Sequence, residues 1–230
     1  MTIENDFSGV RSSFDSLALA DDEVLLEEAA LALSRDGWWL GSGLLGDDQI
    51  DALIDELADL HAEDQLHRAG VGRDLDFQVD SDIRRDRIVW LSRQRPVQVD
   101  FLDGMEKLRL AFNRWLFLGL FEFEAHFAHY PPGGFYKRHL DSFRGAANRI
   151  ISVVFYLNRG WQPGDGGELV LYSEDGNREL VRIEPRAGNL ALFLSEEIPH
   201  EVLPARTDRL SIAGWFRLNA SINGQIDPAR

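Results

Sequence analysis

Of six histidines, at positions 61, 67, 126, 129, 139 and 200, two stand out by their context. His139 and Asp141 flank one leucine in the triplet HLD. Side chains at i and i+2 of a β-strand leave the same face, so this imidazole and this carboxylate can share one metal ion. Such a triplet also arises as a solvated histidine beside a turn aspartate, and a metal site needs a further ligand. His200 stands fifty-nine residues beyond Asp141, directly after Pro199 and at the start of a short strand. Where strands fold over one another, residues this far apart in the chain can converge at one open end.

Two imidazoles and one carboxylate leave three coordination positions open, the facial arrangement associated with non-haem Fe(II) oxygenases. The same three groups could hold zinc as a Lewis acid with one bound water. What separates the two is a group able to hold a cosubstrate. Arg209 falls nine residues after His200 and leads RLSIAGWF, in which Arg209, Ser211, Ala213 and Trp215 share a strand face. A buried arginine needs an anion, and its guanidinium grips a carboxylate through two parallel hydrogen bonds. That carboxylate belongs either to a cosubstrate or to a neighbour such as Asp208.

The elements that must position these residues are legible in the patterning. A chain of 230 residues suffices for one large domain with a core of its own. With 44% hydrophobic and 10% aromatic residues it has the composition of an ordinary globular protein rather than a disordered one. Its net charge of -15 argues against nonspecific binding to nucleic acid or to an anionic membrane. The imbalance is confined to one end: residues 1–65 carry seventeen acids and two bases, and the remainder carries 22 of each. The stretch 66–95, with seven arginines against five aspartates, is mildly basic. The absence of cysteine excludes disulfides, thiolate ligands and a thiol nucleophile, and fits a reducing, cytoplasmic setting. No run approaches the roughly 18–20 apolar residues of a membrane helix, and MTIENDFSGV lacks the features of a secretory signal.

Residues 1–20 read as a flexible arm, and 21–230 as a single domain. Helices are expected over Asp21 to Arg35, from Asp47 with Ile50, Leu53, Ile54, Leu57 and Leu60 as its apolar stripe, and from about Gly104 to Gly119 with Leu108, Phe112, Trp115 and Leu116 on one side. GWWLGSGLLG reads as a short strand, and about 65–86 as a mobile loop. After Gly119 the period changes to two. Strands are expected at 121–130, 135–140, 150–157, 168–172, 179–183, 190–194, 201–203 and 210–216, separated by PPGG, GWQPGDGG, EDGN, PRAGN and PARTD. The fold class is therefore α+β, mostly β: a double-stranded β-helix or jelly roll over 120–218, with N-terminal helices covering one sheet and a tail over 219–230.

The ordered set HLD, FYLN, GGEL, EPRAGNLALFLS, PHEV and DRLSIAGWF resembles the iron(II)- and 2-oxoglutarate-dependent dioxygenases, and among them the prolyl hydroxylases of the oxygen-sensing type with their bacterial relatives. The resemblance runs from about Gly37 to Leu218 and takes in DIRRDRIVWL at 82–91. Collagen-type prolyl hydroxylases are similar but usually carry lysine where Arg209 stands, which sorts this chain with the oxygen-sensing branch. The resemblance implies His139, Asp141 and His200 as ligands of Fe(II). It implies 2-oxoglutarate chelating that iron, with its far carboxylate on Arg209 and the Tyr156 hydroxyl, near Tyr130, Ser211 and Trp215. Arg84, Asp86 and Arg149 match charged residues that position the substrate loop, and Tyr136 matches a pocket tyrosine. His126 stands where relatives often have an apolar residue. On its strand it faces the pocket or, as a purely structural residue, bonds Glu122 or Glu124. The plainer readings are a turn anchor for Tyr130, a packed strand residue for Tyr136, a backbone partner for Tyr156 and a solvated patch for Arg84, Arg85 and Arg87.

The reaction so implied consumes 2-oxoglutarate and O2, releases succinate and CO2, and hydroxylates C4 of a prolyl residue, with ascorbate as reductant. The implied partner is a protein presenting a proline-containing loop, elongation factor Tu among the substrates of bacterial relatives, with 65–86 closing over it. Two alternatives remain open: an oxygenase acting on another side chain or a small molecule, and a metal-stabilised jelly-roll binding module without turnover.

Overall fold

A computed structural model describes residues 22–69, 82–142, 148–218, 221–222 and 225–226. The arm at 1–20, the stretch 70–81 of the expected loop and most of the tail lie outside the described residues. Helix α1 (Glu23–Asp36) begins where the Asp22 carboxylate accepts hydrogen bonds from the Val24 and Leu25 amides, and stops at Gly37 in the left-handed region. Strand β1 (Trp38–Ser42) follows, then α2 (Asp47–Ala62), which buries Ile50, Leu53, Leu57 and Leu60. The short strands β2 (His67–Arg68) and β3 (Arg87–Trp90) pair with each other at the two ends of the expected loop.

Helix α3 (Pro96–Leu116) starts eight residues before the expected Gly104. Proline suits the first helical turn, where its missing N–H has no partner to lose, whereas the alternation Val97-Gln98-Val99-Asp100-Phe101 mimics a strand. Phe101, Met105, Leu108 and Phe112 form its buried stripe, and Trp115 turns partly outward.

The core strands are β4 (Glu122–Tyr130), β5 (Tyr136–His139), β6 (Arg149–Tyr156), β7 (Leu169–Tyr172), β8 (Glu179–Ile183), β9 (Asn189–Leu194), β10 (His200–Val202) and β11 (Arg209–Arg217); β12 (Ser221–Ile222) and β13 (Gln225–Ile226) make a separate ribbon. The larger sheet runs β1-β9-β6-β11-β4-β3-β2 and the smaller β5-β10-β7-β8, all paired antiparallel. This is the expected jelly roll.

Strand alternation decides what each residue meets. Ala125 and Phe127 of β4, Ile151, Val153 and Phe155 of β6, Leu190 and Leu192 of β9, and Ile212 and Phe216 of β11 pack with the helices in one core. Their neighbours of opposite parity, Ala128, Tyr130, Tyr156, Ala191 and Phe193, join Leu169, Leu171, Ile183 and Val202 of the smaller sheet in a second. Truncating a helix-side phenylalanine such as Phe101 to alanine should cost about 3–5 kcal/mol. The site therefore lies on the inner face of a sheet held rigid from behind. Among the described residues no helix is long and apolar enough to cross a membrane.

Candidate active site

His139 ends β5 and His200 begins β10, and the two are cross-strand partners. Asp141 follows two residues after His139, outside the strand. One ligand atom from each of the three lies within 4.8 Å of the others, the single such cluster among the described residues. Both histidines are oriented by the backbone: His139 Nδ1 lies 2.8 Å from Lys137 O and His200 Nδ1 3.1 Å from Ile198 O. A carbonyl only accepts, so each Nδ1 carries the proton and each Nε2 keeps its lone pair. Those Nε2 atoms sit 3.4 Å from Asp141 Oδ1 and 3.5 Å from Asp141 Oδ2.

Burial by itself would raise the pKa of Asp141, yet His200, His139 and Arg149 together hold it well below the usual carboxylate range. Burial and the neighbouring His139 push His200 down to about 4, against the pull of Asp141. An anionic carboxylate and a neutral imidazole are the forms that bind a divalent cation. Tyr136 stacks on His139 at 3.6 Å between ring centroids, and Arg84 lies over Tyr136 at 4.4 Å. Tyr136 is thus both a packed residue and a wall of the site.

Deeper inside, Arg209 is 1% exposed and Tyr156 fully buried. Arg209 Nε donates to Gly167 O at 2.7 Å and Nη1 to Ser211 Oγ at 3.1 Å; its guanidinium lies 4.9 and 5.3 Å from the rings of Tyr130 and Tyr156. It has no carboxylate partner among the described residues. Asp208, the neighbour that could have paired with it, instead accepts from His129 Nε2 at 2.7 Å. Among the described residues nothing accepts the proton of the buried Tyr156 hydroxyl, and the Arg209 guanidinium is its polar neighbour. Burial pushes it up to about 12 although Arg209 acts to lower it, so at neutral pH it is a proton-bearing donor. A fixed cation and an unused donor in one enclosed place form a receptor for a carboxylate.

Toward the other end of β11, Trp215 keeps its indole N–H buried and without a hydrogen-bond partner among the described residues. Arg149 covers its ring at 3.5 Å and donates to Glu124, which also accepts from Arg217. His126 faces the interior between Trp90 and Trp215, at 5.3 and 5.6 Å, with Nδ1 directed at Phe127 O. No bond from it to Glu122 or Glu124 is present. Burial first, with Arg84 and Arg149, pushes His126 down to about 4, Asp86 opposing. Arg84 pairs with the buried Asp86, which outweighs the desolvation of its charge and keeps its pKa raised.

Residues 125–217 match the profile described as the 2OG-Fe(II) oxygenase superfamily. A crystal structure of a Pseudomonas putida prolyl-4-hydroxylase is 45% identical, with a TM-score of 0.76, covering 85% of this chain and 100% of that one. The chain belongs to the prolyl hydroxylase family of 2OG-Fe(II) oxygenases. A Trichoplax adhaerens prolyl hydroxylase in complex with a hypoxia inducible factor oxygen degradation domain peptide fragment is 27% identical with a TM-score of 0.76, covering 85% of this chain and 90% of that one. Egl nine homolog 1 of Rattus norvegicus is 26% identical over 222 residues, 90% of this chain and 63% of that protein. The chain spans about half to two thirds of the length of the Egl nine homologs it matches.

A 2OG-Fe(II) oxygenase implies Fe(II), 2-oxoglutarate and O2, and the residues present fit them. The His–Asp–His cluster presents two imidazole lone pairs and a carboxylate, and Arg209 and Tyr156 could offer an anion a buried guanidinium without a carboxylate partner and a buried hydroxyl among the described residues. Several groups that support this site carry no local mark in the sequence. Ser152, a lone hydroxyl in the apolar strand IISVVFY, donates to Asp141 Oδ2 at 2.6 Å, and Ser195 Oγ lies 2.9 Å from Ser152 Oγ. Gly167, at φ +68°, offers its carbonyl to Arg209. For Ser152 the only signal is general: a buried hydroxyl needs a partner.

Proposed function

We propose that this chain is a 2-oxoglutarate-dependent prolyl hydroxylase that inserts one oxygen atom at C4 of a proline in a protein loop, releasing succinate and CO2. The observation that carries the reading is Arg209: a buried cation without a carboxylate partner among the described residues, beside Tyr156, which shares its core with Phe193, the ring packed on His200. In this reading His139, Asp141 and His200 hold Fe(II), which when bound supplies the oxidative chemistry, with ascorbate as its reductant. Arg209 and Tyr156 receive the far carboxylate of 2-oxoglutarate, Ser211 steadies the guanidinium, and Tyr130 walls the pocket. The apolar surround excludes water from the reacting atoms. Arg84, Asp86, Tyr136, Arg149 and His126 frame the substrate side, with Trp215 between the two regions.

The substrate assignment is supported by the named relatives, one of them bound to a peptide fragment. Elongation factor Tu is the first protein to test. The assay is succinate formation from 2-oxoglutarate with added Fe(II). It is expected for the wild type and expected to be lost in His139→Ala and Arg209→Ala; undiminished turnover in either variant would overturn the assignment.

A further inference from the structure

Asp141 belongs to no strand, since β5 ends at His139, and its carboxylate needs an anchor if one oxygen is to face a metal. That anchor comes from the opposite sheet. Ser152 lies on β6 and Ser195 directly after β9, adjacent strands of the larger sheet whose pairing aligns Ile151 with Leu194. Ser152 is 1% exposed and Ser195 0%. Ser152 Oγ donates to Asp141 Oδ2 at 2.6 Å; its hydrogen is thereby committed, so across the 2.9 Å contact the Ser195 hydroxyl is the donor to Ser152. The result is a directed chain, Ser195 to Ser152 to Asp141.

We infer that Ser152 and Ser195 are positioning residues for the metal centre: by the hydrogen bond to Oδ2 they fix the orientation of the Asp141 carboxylate against the two histidine Nε2 atoms before a cation binds. The inference rests on the metal-centre reading above. Its physical basis has two parts. Two hydroxyls buried in an otherwise apolar face are retained only where each has a partner, and here the partners end on a ligand. An outer hydrogen bond also removes the rotational freedom that Asp141 would otherwise lose on binding metal, and such partners are typically worth about 10–100-fold in metal affinity.

The test uses apoprotein and Mn(II), with affinity read by electron paramagnetic resonance of the free ion and folding checked by circular dichroism. Ser152→Ala is expected to weaken Mn(II) binding by about 10–100-fold, and Ser152→Thr, which restores the hydroxyl, to recover most of it. Ser195→Ala removes only the far end of the chain and is expected to weaken binding by a smaller factor, about 3–10-fold. If Ser152→Ala does not fold, Ser195→Ala decides: a loss supports the relay and wild-type affinity overturns it. Unchanged affinity in a folded Ser152→Ala overturns it as well. A wild type without Mn(II) affinity would instead overturn the metal-centre reading itself, a result distinguishable from the other.

Discussion

Replacing Arg209 with methionine removes a charge while keeping much of the side chain's reach, and it separates what this residue does for folding from what it does for the cosubstrate. The effective penalty for burying a lone ion is several kcal/mol. In the wild type that penalty is offset by the hydrogen bonds to Gly167 O and Ser211 Oγ, about 1.5–3 kcal/mol each for a charged donor. The Tyr130 and Tyr156 rings add about 0.5–2 kcal/mol each. These opposing quantities nearly cancel, so without 2-oxoglutarate the variant is expected to melt within about 8 °C of wild type, taking 2–4 °C per kcal/mol for a chain of this size. With 2-oxoglutarate at a hundred times its dissociation constant, metal-loaded wild type gains about 2.7 kcal/mol, or roughly 5–11 °C. Losing two charge-assisted hydrogen bonds costs about 3–6 kcal/mol, which raises that constant by about 10²–10⁴-fold and cuts the shift to about 2 °C or less at the same concentration. The assay is thermal melting of Mn(II)-loaded protein with and without 2-oxoglutarate. A wild-type shift in Arg209→Met would refute the assignment of this cation to the cosubstrate.

Gly167→Ala puts a Cβ at φ +68°, 3.0 Å from Arg209 Cδ and 3.2 Å from Ala205 Cβ. It is expected to raise KM for 2-oxoglutarate about tenfold through about 1–2 kcal/mol of strain and displacement, with kcat changed far less in steady-state assays. Glu124→Ala leaves Arg149 and Arg217 without their shared carboxylate. Because Glu122 still pairs with Arg217 at 3.0 Å, the cost is expected near 3 kcal/mol, a fall of about 6–12 °C in melting temperature. His126 has its pKa lowered from 6.5 to about 4, so the stability it contributes is complete above pH 6.5 and is lost as the pH falls from 6.5 toward 4. Urea unfolding at pH 7 and 4.5 is therefore expected to favour His126→Phe over wild type by about 2–3 kcal/mol more at the acid pH, and parallel losses would contradict it.

Local periodicity made the strands readable before any coordinates, because parity alone sorts Phe127, Val153 and Leu192 from Ala128, Tyr156 and Phe193. It failed at the start of α3, where alternating Val97 to Phe101 carries a strand's period, and at β2 and β3, whose arginines disguise two short strands at one end of the larger sheet. The cluster of His139, Asp141 and His200 could be named from types and spacing. Its supports could not, because they are cross-sheet partners with no fixed offset in the chain: Ser152 and Ser195 for Asp141, Gly167 for Arg209. For the same reason Asp208, adjacent to Arg209 in sequence, turns to His129, and His126 lies between Trp90 and Trp215 instead of bonding the glutamates on its own strand.

We propose that this site transfers oxygen to proline. That transfer is tested most directly by mass spectrometry of host proteins, elongation factor Tu included, after incubation with the enzyme, Fe(II), 2-oxoglutarate and isotopically labelled O2. One labelled oxygen is expected on a prolyl residue, present with wild type and absent with His139→Ala. Succinate formed alongside label only on residues other than proline would contradict it.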